Sequence, residues 1–204
     1  MPTDTFKNLK SKKKDLIIAA IIKELSLHTY EHISIANIIR DANISRGSFY
    51  QYFDDKLDLF MYMVEYIGTL KQSLFHHIFM SEDLTFIERI KQLFLTGITF
   101  KKTYPELVLV GKKMIESEQY RRMLTQGGLN LKVIKIYQDW IIKDQNKGLV
   151  RKDLNTLILA EISHEITSKL SIDSFIYETY EESLWATKVN EVLDIIQKGI
   201  VNHV

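Results

Sequence analysis

A chain of 204 residues with 46% hydrophobic side chains can bury a substantial core without staples, as one domain or as a small domain joined to a larger one. It contains no cysteine, which excludes disulfides, thiolate metal sites and cysteine nucleophiles. The net charge is only +1, but eight Lys and Arg against five Asp and Glu leave +3 in residues 1–53 and −2 in the remainder, and for phosphate binding the placement of charge matters more than its sum.

The N-terminus, MPTDTFKNLKSKKKD, is polar and basic, and the apolar run from Leu16 to Ile22 is too short to span a bilayer. A cytoplasmic protein without a membrane partner is expected. Two prolines and eight glycines punctuate the chain, and the segments between them repeat apolar residues at three and four, the helical period. The expected fold is all-α.

The first helix is predicted from Ser11 to His28, with Leu16, Ile17, Ala20, Ile21 and Leu25 at helical spacing. Ser34 then stands where a side chain caps a helix start, followed by Ile35, Ile38 and Ile39 as an inward face, and this short helix ends near Asp41. Asn43 suits a tight turn because asparagine tolerates the left-handed conformation, and Ser45 caps again at once. Two short capped helices about three residues apart form a helix-turn-helix.

Asp54 and Asp55 mark a further helix start, after which the helical period holds for about 25 residues, roughly 37 Å. Further helices are predicted from Leu84 to Lys102, from Pro105 to Ile115, and from Glu118 to about Lys147 with a break or bend at Gly127-Gly128. Gly148 reads as a C-cap, Asp153 as the start of a helix to about Leu170, and Glu181 as the start of one reaching Val201.

The segment ISRGSFYQYF, Ile44 to Phe53, carries more polar chemistry than a core helix uses. If its start enters a DNA major groove, the helix dipole and free N–H groups of its first turn favour phosphate, and Arg46, Ser48 and Gln51 face base edges. Gly47 lets the backbone approach the duplex, Tyr50 and Tyr52 offer hydroxyls to phosphate oxygens, and Lys56 adds charge. Phe49 and Phe53 face inward as anchors. An aromatic surface helix in a bundle that binds nothing would show the same spacing.

From Ile33 to Leu59, ISIANIIRDANISRGSFYQYFDDKLDL closely resembles the N-terminal domain of TetR-family transcriptional regulators, on Ser34, Ile38, Ala42, Ile44-Ser45, Gly47-Ser48, Tyr50, Tyr52-Phe53 and Lys56. The resemblance is strong over roughly residues 10–60, and beyond them it lies in the pattern of helix lengths. It implies an N-terminal three-helix domain at 1–53, joined by a long helix to a helical effector-binding and dimerisation domain at 54–204. It implies DNA contacts from Arg46, Gly47, Ser48, Tyr50, Gln51 and Tyr52, with Lys56 on the phosphate backbone and Ser34, Ala36 and Asn37 at the second helix's start; the cap Ser45 belongs with them. Three positions depart from the family's pattern: Thr29 and Asn43 stand where glycine is usual, and Ile39 where a small residue is usual.

By the same resemblance the larger domain binds a small molecule and dimerises through its last two long helices. Leu154, Ile158, Ile162, Ile166 and Leu170 form one apolar stripe and Trp185, Val189, Val192, Ile196 and Ile200 another, and either an interface or a monomer's core would use them. Tyr62, Tyr66, Phe94, Tyr104, Met114, Met123, Tyr137 and Trp140 could line an effector cavity, though each also fits ordinary core packing. The expected protein is a homodimeric, ligand-released repressor on a palindromic operator, with an unidentified effector and no cofactor or metal. The alternative is a helical carrier of a small molecule, with His76, His77 and His164 as the residues a haem iron would need. No Ser-His-Asp, paired-carboxylate or metal-ligand spacing stands out, so no enzyme is expected.

Overall fold

The computed structural model describes residues 2–126, 129–176 and 182–201. Among them lie eleven α-helices: α1 Asp4–Lys7, α2 Ser11–Leu27, α3 Ile35–Asp41, α4 Arg46–Tyr52, α5 Lys56–Met80, α6 Phe86–Thr103, α7 Pro105–Glu116, α8 Glu118–Gln126, α9 Leu129–Asn146, α10 Thr156–Ile176 and α11 Glu182–Ile200. A single 3-10 turn, Tyr30–His32, precedes α3, and an isolated antiparallel bridge pairs Val150 with Val201. No described helix is long and apolar enough to cross a membrane.

The chain packs as two compact units. The first comprises Met1–Leu74 and Phe100–Met123, the second Phe75–Thr99 and Leu124–Val204. In the first, α2 lies between α3 and α7, burying Ile17, Ile21 and Leu25 together with Ile38 of α3 and Leu107, Val110 and Met114 of α7. Leu16 remains 55% exposed, so α2 is not covered all round.

The N-terminal segment has a structural role that its polar composition hides. Thr3 caps α1, its N–H donates to the Tyr52 carbonyl (3.1 Å) and its hydroxyl donates to the Gln51 carbonyl (2.6 Å). Two carbonyls left free at the end of α4 are thereby satisfied. Phe6 follows, fully buried, with its ring 4.9 Å from Phe53, 5.2 Å from Tyr62 and 5.9 Å from Tyr52. Burying a phenylalanine contributes about 1.5–3 kcal/mol, which adds to the Thr3 hydrogen bonds in holding this one-turn helix in place.

In the second unit α9 packs along α10, and Phe86, Ile90, Phe94, Tyr137, Trp140, Ile141, Trp185, Val189 and Leu193 form the core. Two buried ionic side chains tie helix ends. Asp144 accepts from the N–H of Phe86 at the start of α6 (2.6 Å). Arg89, 2% exposed, donates to the carbonyls of Ile78, Ser81 and Leu84 and lies over the Trp140 ring. It closes the carbonyl end of α5, where otherwise unpaired acceptors would be buried.

One helix start differs from the sequence reading. The helix expected from Asp153 starts at Thr156, because the Asn155 carboxamide oxygen accepts from the N–H groups of Leu157 and Ile158 while Asp153 pairs with Arg151. The helix expected from Glu118 is described over Glu118–Gln126 and over Leu129–Asn146; Gly127 and Gly128, where a break or bend is expected, lie outside the described residues, as does Glu181. Gly148, with φ of 76°, ends α9 as a left-handed residue.

Candidate nucleic-acid interface

The turn between α3 and α4 is set by four local devices. Ser34 Oγ accepts from the N–H of Asn37 (3.3 Å), and Ser45 Oγ accepts from the N–H of Ser48 (3.0 Å). Asn43 takes φ of 50°, the left-handed conformation that reverses the chain. The Ile44 N–H then donates to the Ile39 carbonyl (3.1 Å), closing the turn. Thr29, with φ of −68°, sits in ordinary extended backbone, so glycine is not needed there.

A buried carboxylate that the sequence reading passed over fixes the start of α3. Glu24, 5% exposed on α2, accepts from the Ser34 N–H at Oε1 (2.8 Å) and from the Asn37 side-chain amide at Oε2 (3.2 Å). Asn37, expected to face DNA, thus has its amide occupied inside the domain. Of the three residues expected there, Ala36 is exposed and Ser34 and Asn37 are half-buried. Glu24 carried no sequence signal beyond a charge at an inward position of an amphipathic helix.

On α4, Arg46, Gly47, Tyr50 and Gln51 are exposed, and Ser48 is half-buried with its hydroxyl 2.9 Å from that of Ser45. The Arg46 guanidinium lies 5.8 Å from the centre of the Tyr50 ring, a pairing that restrains both side chains at the surface. A Cβ at Gly47 would meet nothing nearer than Ser45 Oγ at 3.9 Å. Packing within the chain therefore does not require glycine there.

Tyr52 is a correction. It was expected to offer its hydroxyl to a phosphate, but it is only 3% exposed, with Phe6 against one side and the Lys13 ammonium 5.7 Å from its ring centre. The residue sits on the same face of α4 as Phe49, three positions away, and the α1 segment covers that face. Lys56 donates to the Glu31 carbonyl (3.2 Å) and lies 4.8 Å above the Tyr30 ring.

Arg40 joins the exposed face although the sequence reading left it out. Ile35, Ala36, Ile39 and Arg40 of α3, with Arg46 and Tyr50 of α4, line an open groove of about 430 Å³. Arg40 Nε donates to Asp41 (2.9 Å), which also accepts from Lys23 (2.7 Å).

The same unit holds a long-range latch. Glu31, in the turn before α3, accepts from the Ser117 hydroxyl (3.0 Å) and the Gln119 N–H (3.2 Å) at the start of α8. Burial pushes the Glu31 pKa up, but hydrogen bonds from its own backbone, Thr29, Gln119 and Ser117 outweigh it and hold the pKa at about 2, against about 4.5 for a free glutamate. A depressed carboxylate pKa stabilises the fold fully above the free value, and this is lost as pH falls from about 4.5 to about 2. Glu31→Gln is expected to flatten that part of the acid limb in urea-melt midpoints taken between pH 6 and 2.5. Because Glu31 faces solvent, the effect is below about 1 kcal/mol, and identical acid limbs would remove the latch.

The residues expected to line an effector cavity divide between the units. Tyr62, Tyr66, Tyr104, Met114 and Met123 belong to the first, Phe94, Tyr137 and Trp140 to the second. Tyr62 packs against Phe6 and Phe53, and burial pushes its hydroxyl pKa up to about 12. Phe94 meets Trp185 edge-on, and Tyr137 stacks on Trp140 with its hydroxyl 3.3 Å from Thr167 Oγ1. His164 is buried with Nδ1 3.3 Å from Ser168 Oγ, whereas His76 and His77 are exposed.

The two apolar stripes are mostly core. Trp185 and Val189 are buried, and Leu154, Ile166, Val192 and Ile196 pack against the core of the second unit. A strict repeat of four advances about 40° around a helix at each step, so the α10 stripe winds from outside to inside. Ile158 and Ile162 stay outward, at 52% and 51% exposure. The four-three-four spacing on α11 keeps its stripe inward throughout.

Residues 17–63 match the family model of bacterial regulatory proteins of the tetR family. No curated protein sequence matches the chain. In fold, the chain is similar to a TetR family transcriptional regulator from Chloroflexus aurantiacus J-10-FL, at 21% identity and a TM-score of 0.72 with both chains fully covered. It is also similar to NalD, the secondary repressor of the MexAB-OprM multidrug efflux pump in Pseudomonas aeruginosa, at 16% identity and a TM-score of 0.74, covering 96% of this chain and 100% of that one. The ketosteroid regulator KstR2 of Mycobacterium tuberculosis aligns at 16% identity and a TM-score of 0.63 over 96% of this chain and 98% of that one. Residues 17–63 thus carry a tetR-family helix-turn-helix domain, and the chain as a whole has the fold of those regulators.

Proposed function

We propose that this regulator is a ligand-released homodimeric repressor that binds a palindromic operator and acts by binding alone, without catalysis, in the cytoplasm. Residues 1–53 are the DNA-contacting part and 54–204 the effector and dimerisation part. The observation that carries the reading is the outward face of α4: Arg46, Gly47, Tyr50 and Gln51 are exposed on a helix whose opposite face, Phe49 and Tyr52, is buried. Arginine reads guanine bidentately, glutamine reads adenine, and the open space at Gly47 fits a close approach by a duplex. Ser34, Ala36, Asn37, Ser45 and Ser48 frame that face, and Lys56 adds a cation beside it.

One short helix gives little affinity, so two copies must engage half-sites about 34–36 Å apart. Dimerisation is assigned to the outward apolar residues of the second unit, Leu157, Ile158, Ile162 and Ile172 of α10 with Leu184 and Ile195 of α11, all between 39% and 71% exposed. The effector is assigned to the helical core beyond α5. The Ser163 hydroxyl is buried there without a hydrogen-bond partner, next in sequence to the buried His164 and one turn before the buried Thr167, and a polar ligand group would satisfy it. Effector binding then shifts α5 and with it the spacing of the recognition helices.

Selection of bound fragments from random duplexes tests this reading. The expected outcome is an inverted repeat whose half-site centres lie one helical turn apart or a multiple of it, with affinity falling steeply with salt. Absence of any enriched sequence would exclude an operator-binding role.

A further inference from the structure

The groove between α3 and α4 has a composition that the guanine-reading and phosphate-binding roles do not use. Its apolar lining is Ile35, Ala36 and Ile39, the two isoleucines half-buried, with the exposed Tyr50 ring beside them. Its flanks are cationic, Arg40 on one helix and Arg46 on the other. Positions 35, 36, 39 and 40 share one face of α3, and 46 and 50 one face of α4, so the six side chains converge because of helical spacing. Ile39 stands where the family pattern carries a small residue, and its extra methyl groups add to that lining.

A surface that is apolar at its centre and positive at its rim is complementary to one part of a duplex above others. In the major groove only thymine presents a methyl group, at C5, and anionic phosphates flank it on its strand. Asp41 lies close by, but Lys23 and Arg40 both pair with it, which offsets its charge. Tyr50, restrained by Arg46, closes the groove from the side of the recognition helix.

Resting on the operator-binding reading above, we propose that this groove reads a thymine by its 5-methyl group, with Ile39 as the specificity-determining contact and Arg40 as a cation for the adjoining phosphate. Arg46 reads the neighbouring base. The operator half-site therefore contains one thymine whose methyl group, and not only its hydrogen-bonding edge, is required.

The experiment uses the full-length protein and a duplex it has itself selected from a random pool. Each thymidine of one half-site is replaced in turn by deoxyuridine, which keeps base pairing and removes only the methyl. The expected result is an affinity loss of about fourfold at one position and none at the others, the scale of one buried carbon group. Ile39→Ala should bind the thymidine duplex more weakly and lose the distinction between thymidine and deoxyuridine, with its thermal melt checked for folding. Equal affinity for every deoxyuridine duplex overturns the inference, as does a distinction that survives in folded Ile39→Ala. Failure to select any duplex would instead remove the operator-binding reading itself, so the two failures are separable.

Discussion

Replacing Arg46 and Tyr50 together by alanine is expected to reduce affinity for the selected operator by at least about 100-fold, with helicity, melting temperature and dimerisation unchanged. A bidentate arginine-guanine pair contributes about 1–3 kcal/mol of discrimination, and a twofold operator loses it at both half-sites. The aromatic hydroxyl removes a phosphate contact as well, and its ring no longer restrains the guanidinium 5.8 Å away. Both side chains are exposed, so truncation leaves no cavity and no unpaired buried group. Fluorescence anisotropy on the selected duplex, with circular dichroism on the same samples, separates lost contact from lost structure. Undiminished binding by the folded double variant would show that α4 is not the recognition helix.

The helix-turn-helix was legible in the sequence because its signals are local. Serine caps, a left-handed asparagine and apolar spacing of three and four act within one or two turns, and Ser34, Ser45, Asn43 and Phe49 stand in the structure as that chemistry requires. The illegible features are long-range. Glu24 meets Ser34 and Asn37 ten and thirteen positions away, Thr3 meets Gln51 and Tyr52 from the chain's start, and Glu31 meets Ser117 across 86 positions. No periodicity encodes such contacts.

Tyr52 shows the cost of that blindness. The spacing of three from the inward Phe49 already puts Tyr52 on the buried face of α4, but that this face is covered, by Phe6 of α1, is a long-range contact that no local pattern announces. The apolar stripes stayed ambiguous in the sequence for a related reason. Spacing identifies an apolar face but not what covers it, and α10 and α11 cover most of theirs with their own unit's core.

That distinction makes Ile162→Glu the sharper probe of the dimer. Ile162 is 51% exposed on α10, one turn from Ile158, and no buried core residue of the unit is removed by changing it. A glutamate there would place a carboxylate opposite its symmetry mate inside a twofold apolar contact, where each charge loses water without gaining a partner. The expected result is a monomer by sedimentation velocity, with an unchanged thermal melt at low concentration. Operator affinity should fall by about 10²–10⁴, because the second half-site no longer benefits from the effective concentration that pairing supplies. Val192→Glu provides the contrast: Val192 packs against the core, so charge there is expected to lower the melting temperature whatever the oligomeric state. A persistent Ile162→Glu dimer would place the interface elsewhere, while a monomer that still held the palindrome at full affinity would remove the pairing argument, since a lone seven-residue recognition helix would then suffice.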